Sequence, residues 1–205
     1  MNAKCLLVTD SGQFVKDAAQ LDHPVTLAIA LTWAVSVFIW VGDLISAEQH
    51  ADWAISHAES RSLALFLVVG RGLKGKLALY RGDAKGAAES LQTCLRQLDA
   101  ARYELLTTPF SMSLIEAFGA SARFAEAIAL VDETEKRIEA NGDLSFMPEL
   151  LRVKGNLLGA MPQPVLQEAE ICFVQSLEWS RRQGALGWEL RTVVDLAALW
   201  SRQGQ

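Results

Sequence analysis

Gly42-Asp43-Leu44-Ile45-Ser46-Ala47 returns forty residues later as Gly82-Asp83-Ala84-Lys85-Gly86-Ala87. Each copy has a Gly-Asp turn, and four residues past the aspartate stands an alanine. The alanine goes on recurring, as Ala47, Ala87, Ala127 and Ala169, in steps of 40, 40 and 42 residues. The turn Pro162-Gln163-Pro164 absorbs the extra two. Self-similarity at a fixed period of this length is the signature of a helical array.

After each alanine the apolar residues keep helical spacing. The sets are Ala47, Ala51, Ala54 and Ile55; Ala87, Leu91, Cys94 and Leu95; Ala127, Val131 and Thr134, with Glu135 breaking the pattern; and Ala169, Phe173, Ser176 and Leu177. Positions i, i+4, i+7 and i+8 share one face of a helix. The leading small residue lets two helix backbones approach, and larger side chains further along fill the widening gap.

Each unit therefore reads as an apolar first helix, a short turn and an amphipathic second helix. The first helices are predicted over 25–41, 64–81, 108–121, 148–160 and 188–203. The second helices are predicted over 44–61, 84–101, 125–140 and 165–183. Asp22 before His23-Pro24 reads as a start signal, with proline tolerated in a first turn, and Pro109 and Pro148 sit near the starts of later first helices. Asn141-Gly142 and Gly184 read as helix stops. The expected fold is all-α, a right-handed superhelix of antiparallel helix pairs resembling a tetratricopeptide solenoid. It occupies one domain over 1–205, with units near 23–63, 64–105, 106–146 and 147–186 and a partial unit over 187–205.

The ends carry their own expectations. Residues 12–21 read as the tail of a second helix from an earlier unit. At the other end the fifth first helix has no second helix to cover it, so Leu196, Leu199 and Trp200 are expected to form an exposed apolar edge available for self-association.

Composition narrows the function classes. Half the 205 residues are apolar, enough for a core buried slice by slice. The formal net charge is −5 and no basic block occurs, which argues against direct nucleic-acid binding. Cys5, Cys94 and Cys172 are odd in number and scattered, the usage of reduced thiols in the cytoplasm. The apolar run over 5–8 is too short for a secretion signal. Residues 24–41 hold no charged side chain and approach the length of a membrane span, but no Lys/Arg cluster flanks them, and a helix sandwiched between two others is apolar nearly all round. No membrane association is expected.

Three segments resemble a known family. Met147-Pro148-Glu149-Leu150-Leu151-Arg152-Val153-Lys154-Gly155 is similar to the "ELxRxKGELLL" segment of large bacterial regulators. Glu168-Ala169-Glu170 through Phe173, Ser176-Leu177 and Arg181-Arg182-Gln183 resemble their "AExxFxxALxxARxQ" segment. Trp188-Glu189-Leu190-Arg191, Asp195-Leu196-Ala197 and Leu199-Trp200 resemble "WELRAAxSLARLW". The likeness runs over about 21–204 and is densest after Pro148. Members of that family carry a signal-transduction ATPase domain, often with a winged-helix or nucleotide-cyclase domain, followed by tetratricopeptide-like repeats that sense a ligand or partner. The resemblance covers the repeat part alone, so it implies the sensing module and not the regulator's enzymatic activity.

Several chemical patterns compete with this reading. Gly70-Arg71-Gly72-Leu73-Lys74-Gly75-Lys76-Leu77 contains both GxGxxG and GxxxxGK, patterns that cradle phosphates, and it supports the alternative of a nucleotide-binding protein. Against it, Leu77 stands where a Ser or Thr must hold Mg²⁺, and Asp99, near the spacing of a ribose-binding acid, falls in a second helix. The competing reading puts these glycines inside the first helix of unit two, with Gly75, like Gly155 in unit four, at the small-residue position of close helix contact. Such glycines cost about 1 kcal/mol each against alanine, so tight contact is expected there. His50 and His57 are two helical turns apart and His23 belongs to a helix entry, so no metal site is expected. The acidic run 132–139 reads as a solvated face, with Glu133–Arg137 a favourable i,i+4 pair and Glu135–Glu139 an unfavourable one. No Ser or Cys sits in a nucleophile turn. The expectation is a non-enzyme without a cofactor.

What remains is a binding surface. The first helices should line one side and present Thr32, Ser36 and Trp40; Arg71, Gly72, Lys76 and Tyr80; Met112 and Glu116; Glu149, Arg152 and Asn156; and Glu189. Aromatics beside Arg and Glu are typical of interaction hot spots. The expected ligand is a protein or peptide segment, with a small effector as the alternative. Trp40 and Tyr80 could equally be packing residues, and Glu149, Arg152, Glu189 and Arg191 could equally pair between neighbouring units.

Overall fold

A computed structural model describes residues 3–104 and 106–203, with side chains from residue 12 onward; Cys5 lies outside the described side chains. The described residues hold ten α-helices and no strand. Contacts gather them into two compact units, Met1–Thr107 and Thr108–Gln205. In the first, α1 (Ala3–Gln20), α2 (Pro24–Trp40), α3 (Leu44–Ser60), α4 (Ala64–Tyr80) and α5 (Ala84–Ala100) each pack on the next, and α2 also touches α4. The second begins within α6 (Thr107–Ala120) and continues through α7 (Phe124–Asn141), a 3₁₀ turn (Leu144–Phe146), α8 (Met147–Ala160), α9 (Leu166–Gln183) and α10 (Leu186–Gln203). There α7, α8, α9 and α10 pack in order, and α8 also touches α10. This is sequential helix-pair packing of a generic tetratricopeptide-like kind.

The helices end alike. Asp22, Gly42, Ser62, Gly82, Arg102, Ala122 and Gly142 all have positive φ and stand twenty residues apart. After each of the last six, the next N–H donates to the carbonyl five residues back, as in Asp43 to Phe38, Leu63 to Ala58 and Tyr103 to Leu98, at 2.8–3.0 Å. Gly184 repeats the arrangement, with Ala185 donating to Ser180 at 2.9 Å. These are Schellman ends, in which one left-handed residue lets the chain reverse while the last carbonyls are satisfied. The rhythm breaks at Pro162-Gln163-Pro164, because proline cannot adopt positive φ. Helix starts are capped at Asp43, whose Oδ1 accepts from Ser46 N, and at Asp83, whose Oδ1 accepts from Gly86 N. The start expected at Asp22 is corrected: Asp22 is the left-handed turn residue, and His23 caps α2 by accepting the Thr26 N–H on Nδ1.

The second-helix pattern holds in detail. Ala47, Ala87, Ala127 and Ala169 are each 0% exposed. The residues four, seven and eleven places on are buried in every pair, from Ala51, Ala54 and Ala58 to Phe173, Ser176 and Ser180. The place eight on is only half-buried in the first three pairs. Glu135 occupies that place in α7 and receives Lys154 Nζ of α8 at 3.5 Å, so the break in apolar pattern is an ion pair between helices.

The glycine segment lies wholly inside α4, with Gly70, Gly72 and Gly75 buried. Its N–H groups belong to the helix ladder and cannot wrap a phosphate. A Cβ at Gly70 would come within 2.9 Å of Ile55 Cγ1 on α3, and one at Gly75 within 2.9 Å of Ser90 Cβ on α5. These glycines let α4 lie close against both flanking helices.

Between α3 and α4, Lys74 reaches Glu48 at 3.0 Å and Asp52 at 2.8 Å, and Arg81 pairs with Glu48. Hydrogen bonds from Arg81 and then Lys74 pull the Glu48 carboxyl from the ordinary 4.5 to about 2. A carboxyl depressed by folding contributes stability above its unfolded pKa and loses it as pH falls through the folded value. The stability difference between the parent and Glu48→Gln is therefore expected to be constant above pH 5 and to shrink between pH 4.5 and 2 in urea titrations. A difference independent of pH over that window would refute this assignment.

No helix among the described residues is long and apolar enough to cross a membrane. Cys94 and Cys172 are free and buried, and burial pushes the Cys94 thiol up to about 12.

Of the exposed edge expected on the last helix, Trp200 is exposed, and the expectation for Leu196 and Leu199 is corrected. Leu196 and Leu199 are buried, in one core cluster with Leu158, Ala169, Cys172, Phe173 and Leu177. The large apolar residues that α10 exposes are Leu186, Leu190, Val193, Val194 and Trp200.

Candidate functional site

The expected surface residues divide into those that serve the fold and those that converge. Thr32 and Ser36 are buried, and their hydroxyls donate to the carbonyls of Ala28 and Thr32 within α2. Met112 is buried in α6. Trp40 and Tyr80 are exposed at the ends of α2 and α4. Arg71 does not share a face with Lys76 and Tyr80. Nine residues at about 100° each separate Arg71 from Tyr80 by half a turn, and Arg71 lies instead beside Glu59 of α3 at 3.8 Å. With Lys74 it lines an open hollow of about 410 Å³ with Ser90, Thr93 and Gln97 of α5. That hollow is a poor anion site, since α3 carboxylates already engage both cations. Glu189 pairs with Arg181 of α9 at 2.7 Å.

The residues that converge lie in the second unit. Arg152 and Glu149 on α8 are one helical turn apart and both buried. Arg152 donates from Nε to Glu149 Oε2 at 2.8 Å and from Nη2 to Oε1 at 2.9 Å, a two-point fork. Its Nη1 donates to Asp195 Oδ2 on α10, and its Nη2 reaches Glu116 Oε1 on α6 at 3.5 Å. Arg191 Nη1 sits 2.7 Å from Glu149 Oε1. Asn156, one turn beyond Arg152, donates to Asp195 Oδ2 at 2.6 Å. One guanidinium thus ties together three successive first helices, α6, α8 and α10. Burial works against its charge, but the hydrogen bonds and charges of Glu149 and Asp195 outweigh that and hold its pKa above the ordinary arginine value.

Of the expected set, Glu116, Glu149, Arg152 and Asn156 are brought together. Asp195 completes the group and was not among the expected binding residues. Its signal was an acid four places after Arg191 on a helix otherwise rich in Leu, Val and Ala.

Glu116, Glu149 and Asp195 face Arg152 and Arg191. Glu116 and Asp195 keep 36% and 25% of their side chains exposed. Directly beside them lies a hollow of about 180 Å³ with an apolar floor of Ile115, Gly119, Val153 and Leu157 and with Glu116 and Asn156 on its wall. Asn156 also lines a smaller hollow of about 70 Å³ with Asp195, Phe173 and Arg202. An apolar floor beside partly exposed carboxylates suits a ligand that is cationic at one point and apolar at the next.

Among the described residues no group of three or more His, Cys, Asp or Glu could hold a metal ion. His50 meets the Ser46 carbonyl at 2.8 Å, and His57 meets the Pro24 carbonyl at 2.9 Å, so both serve helix contacts. The fold and this cluster define an all-helical repeat protein with an acidic, partly apolar hollow on its first helices. Neither a protein-family model nor a curated protein matches the chain.

Proposed function

We propose that this chain is a non-catalytic interaction module of the cytoplasm, and that the α6–α8–α10 face holds a peptide segment bearing a Lys or Arg next to a small apolar residue. The carrying observation is the partly exposed carboxylates of Glu116 and Asp195 beside the 180 Å³ apolar hollow, on a frame braced by Arg152. A braced frame needs little rearrangement on binding, which limits the entropic cost. Glu116 meets the cation, Asn156 offers an amide to the peptide backbone, and Ile115, Val153 and Leu157 receive the apolar neighbour. The resemblance to bacterial regulators adds a role for the bound state: occupancy of this face would be relayed to an associated ATPase or transcriptional regulator.

The test is selection of a random dodecapeptide phage library on the whole chain. Enrichment of Lys or Arg beside a small apolar residue is expected. A selected peptide should lose roughly tenfold or more in affinity on Glu116→Gln, the loss of a charge-assisted hydrogen bond. Enrichment of acidic peptides, or binding indifferent to Glu116→Gln, would exclude this reading.

The nucleotide alternative lacks a structural basis, because its glycines are helix interior. A Mg-ATP thermal shift abolished by Lys76→Ala would reinstate it.

A further inference from the structure

The two hollows on the α6–α8–α10 face are one groove repeated. The hollow of about 180 Å³ is lined by Ile115, Glu116 and Gly119 of α6 and by Val153, Leu157 and Ala160 of α8. The hollow of about 70 Å³ is lined by Gly155, Asn156 and Gly159 of α8 and by Asp195, Leu199 and Arg202 of α10. The α6 places return on α8 after 40 residues, and the α8 places return on α10 after 42, the same steps that separate the repeat alanines. Glycine holds one place in both copies, as Gly119 and Gly159, and leucine faces it in both, as Leu157 and Leu199. A Cβ on Gly159 would meet only Leu199 Cδ1, at 3.8 Å, so the absence of a side chain there keeps the second hollow open.

What changes between the copies is the chemistry. Ile115 gives way to Gly155, Glu116 to Asn156, Val153 to Asp195 and Ala160 to Arg202. An apolar hollow with a carboxylate on its wall becomes a smaller one that carries both signs of charge. Asp195 Oδ2 accepts from Arg152 and Asn156, while its Oδ1 accepts from no group among the described residues, and Arg202 pairs with no acid among them. A cation entering here meets Arg202, and an anion meets Asp195. A carboxamide answers both, because it is neutral, its NH₂ donates to Asp195 Oδ1 and its carbonyl accepts from Arg202. The volume, about the share of two water molecules, admits such a group and excludes a ring.

We infer that the segment held on this face is read by two successive repeats: Lys or Arg with its apolar neighbour in the α6–α8 hollow, and an Asn or Gln side chain in the α8–α10 hollow. This rests on the peptide-binding reading above and adds a second specificity position to it. Packed helices stand about 8–10 Å apart, and an extended chain advances about 3.3 Å per residue. The carboxamide therefore lies about two or three residues from the apolar side chain, on the side that leads toward α10.

Two dodecapeptide phage libraries test this, with Lys-Val or Val-Lys fixed at the centre and every other position random, each selected on the whole chain. Enrichment of Asn or Gln is expected about two or three residues from the valine, on one side only. In a selected peptide, changing that residue to Ala, Glu or Lys should lower affinity about fivefold or more. Gly159→Leu fills the second hollow, so the carboxamide peptide and its Ala counterpart should bind it alike, while Glu116→Gln still weakens both. Circular dichroism checks that this variant folds. Arg202→Ala, at an exposed position, gives a second reading and should shrink the ratio between the two peptides. Peptides that need Glu116 but show no carboxamide preference, or a preference that survives both Gly159→Leu and Arg202→Ala, overturn this inference and leave the peptide-binding reading standing. Peptides indifferent to Glu116→Gln overturn that reading and this inference together.

Discussion

Replacing Arg152 by alanine should cost the second unit about 3–5 kcal/mol, the usual loss when one partner of a buried ion pair is removed. The side chains of Arg152 and Glu149 are 7% and 8% exposed, so a Glu149 carboxylate that has lost the two-point fork cannot recover its hydration. Arg191 would remain beside Glu149 on its exposed flank, and Asp195 would keep only Asn156. The α8–α10 contact should suffer most, since Arg152 is the group that bonds both helices and α6. Arg152→Lys should recover only part of the loss, because an ammonium cannot make the two-point fork to Glu149 while reaching Asp195. The measurement is urea unfolding followed by tryptophan fluorescence, with Trp179, Trp188 and Trp200 reporting on this unit. A cost near 1 kcal/mol would mean that the network is a surface decoration and that the frame of the proposed binding face is soft.

Gly155→Leu should be comparably damaging, at about 3 kcal/mol, the upper part of the range for overpacking a filled core. A Cβ there meets three atoms of the Phe173 ring at 2.8, 2.9 and 3.0 Å. Phe173 is itself almost completely buried and has nowhere to move. Gly159, one turn further along α8, is the control. Its added Cβ would find only Leu199 Cδ1, at 3.8 Å, so Gly159→Ala should gain about 1 kcal/mol from helix propensity. Opposite signs at two glycines of one helix would separate close helix contact from a general demand for flexibility. Equal effects would contradict the steric account of the repeat.

These expectations rest on features with different visibility in the sequence. The helix boundaries over 24–203 lay within two residues of those expected, because the alanine recurrence and the apolar spacing both report one buried face. The turns were half visible. Gly42, Gly82, Gly142 and Gly184 announced themselves, whereas Ser62, Arg102 and Ala122 adopt the same left-handed conformation without glycine. A Schellman end satisfies carbonyls and fixes chain direction, and that offsets the roughly 1–2 kcal/mol a side chain costs there. Composition could not flag those positions.

The candidate site was legible as residue types and not as an arrangement. Glu149, Arg152 and Asn156 follow from one helix face, and Glu116 from the neighbouring unit. Arg71 and Glu189 were grouped with them by type, although the helix period places Arg71 opposite Tyr80, and Glu189 finds Arg181 closer to hand.

By itself, then, the amino-acid order determined the helices, their pairing in register and the sites of closest approach, because each of these depends on contacts repeated at a fixed separation along the chain. Tertiary structure alone decided which charges meet, and that Leu196 and Leu199 are core while Leu190 and Val193 are surface. Those outcomes depend on which side of a helix has a neighbour, and a periodic pattern specifies an apolar side without saying what lies against it.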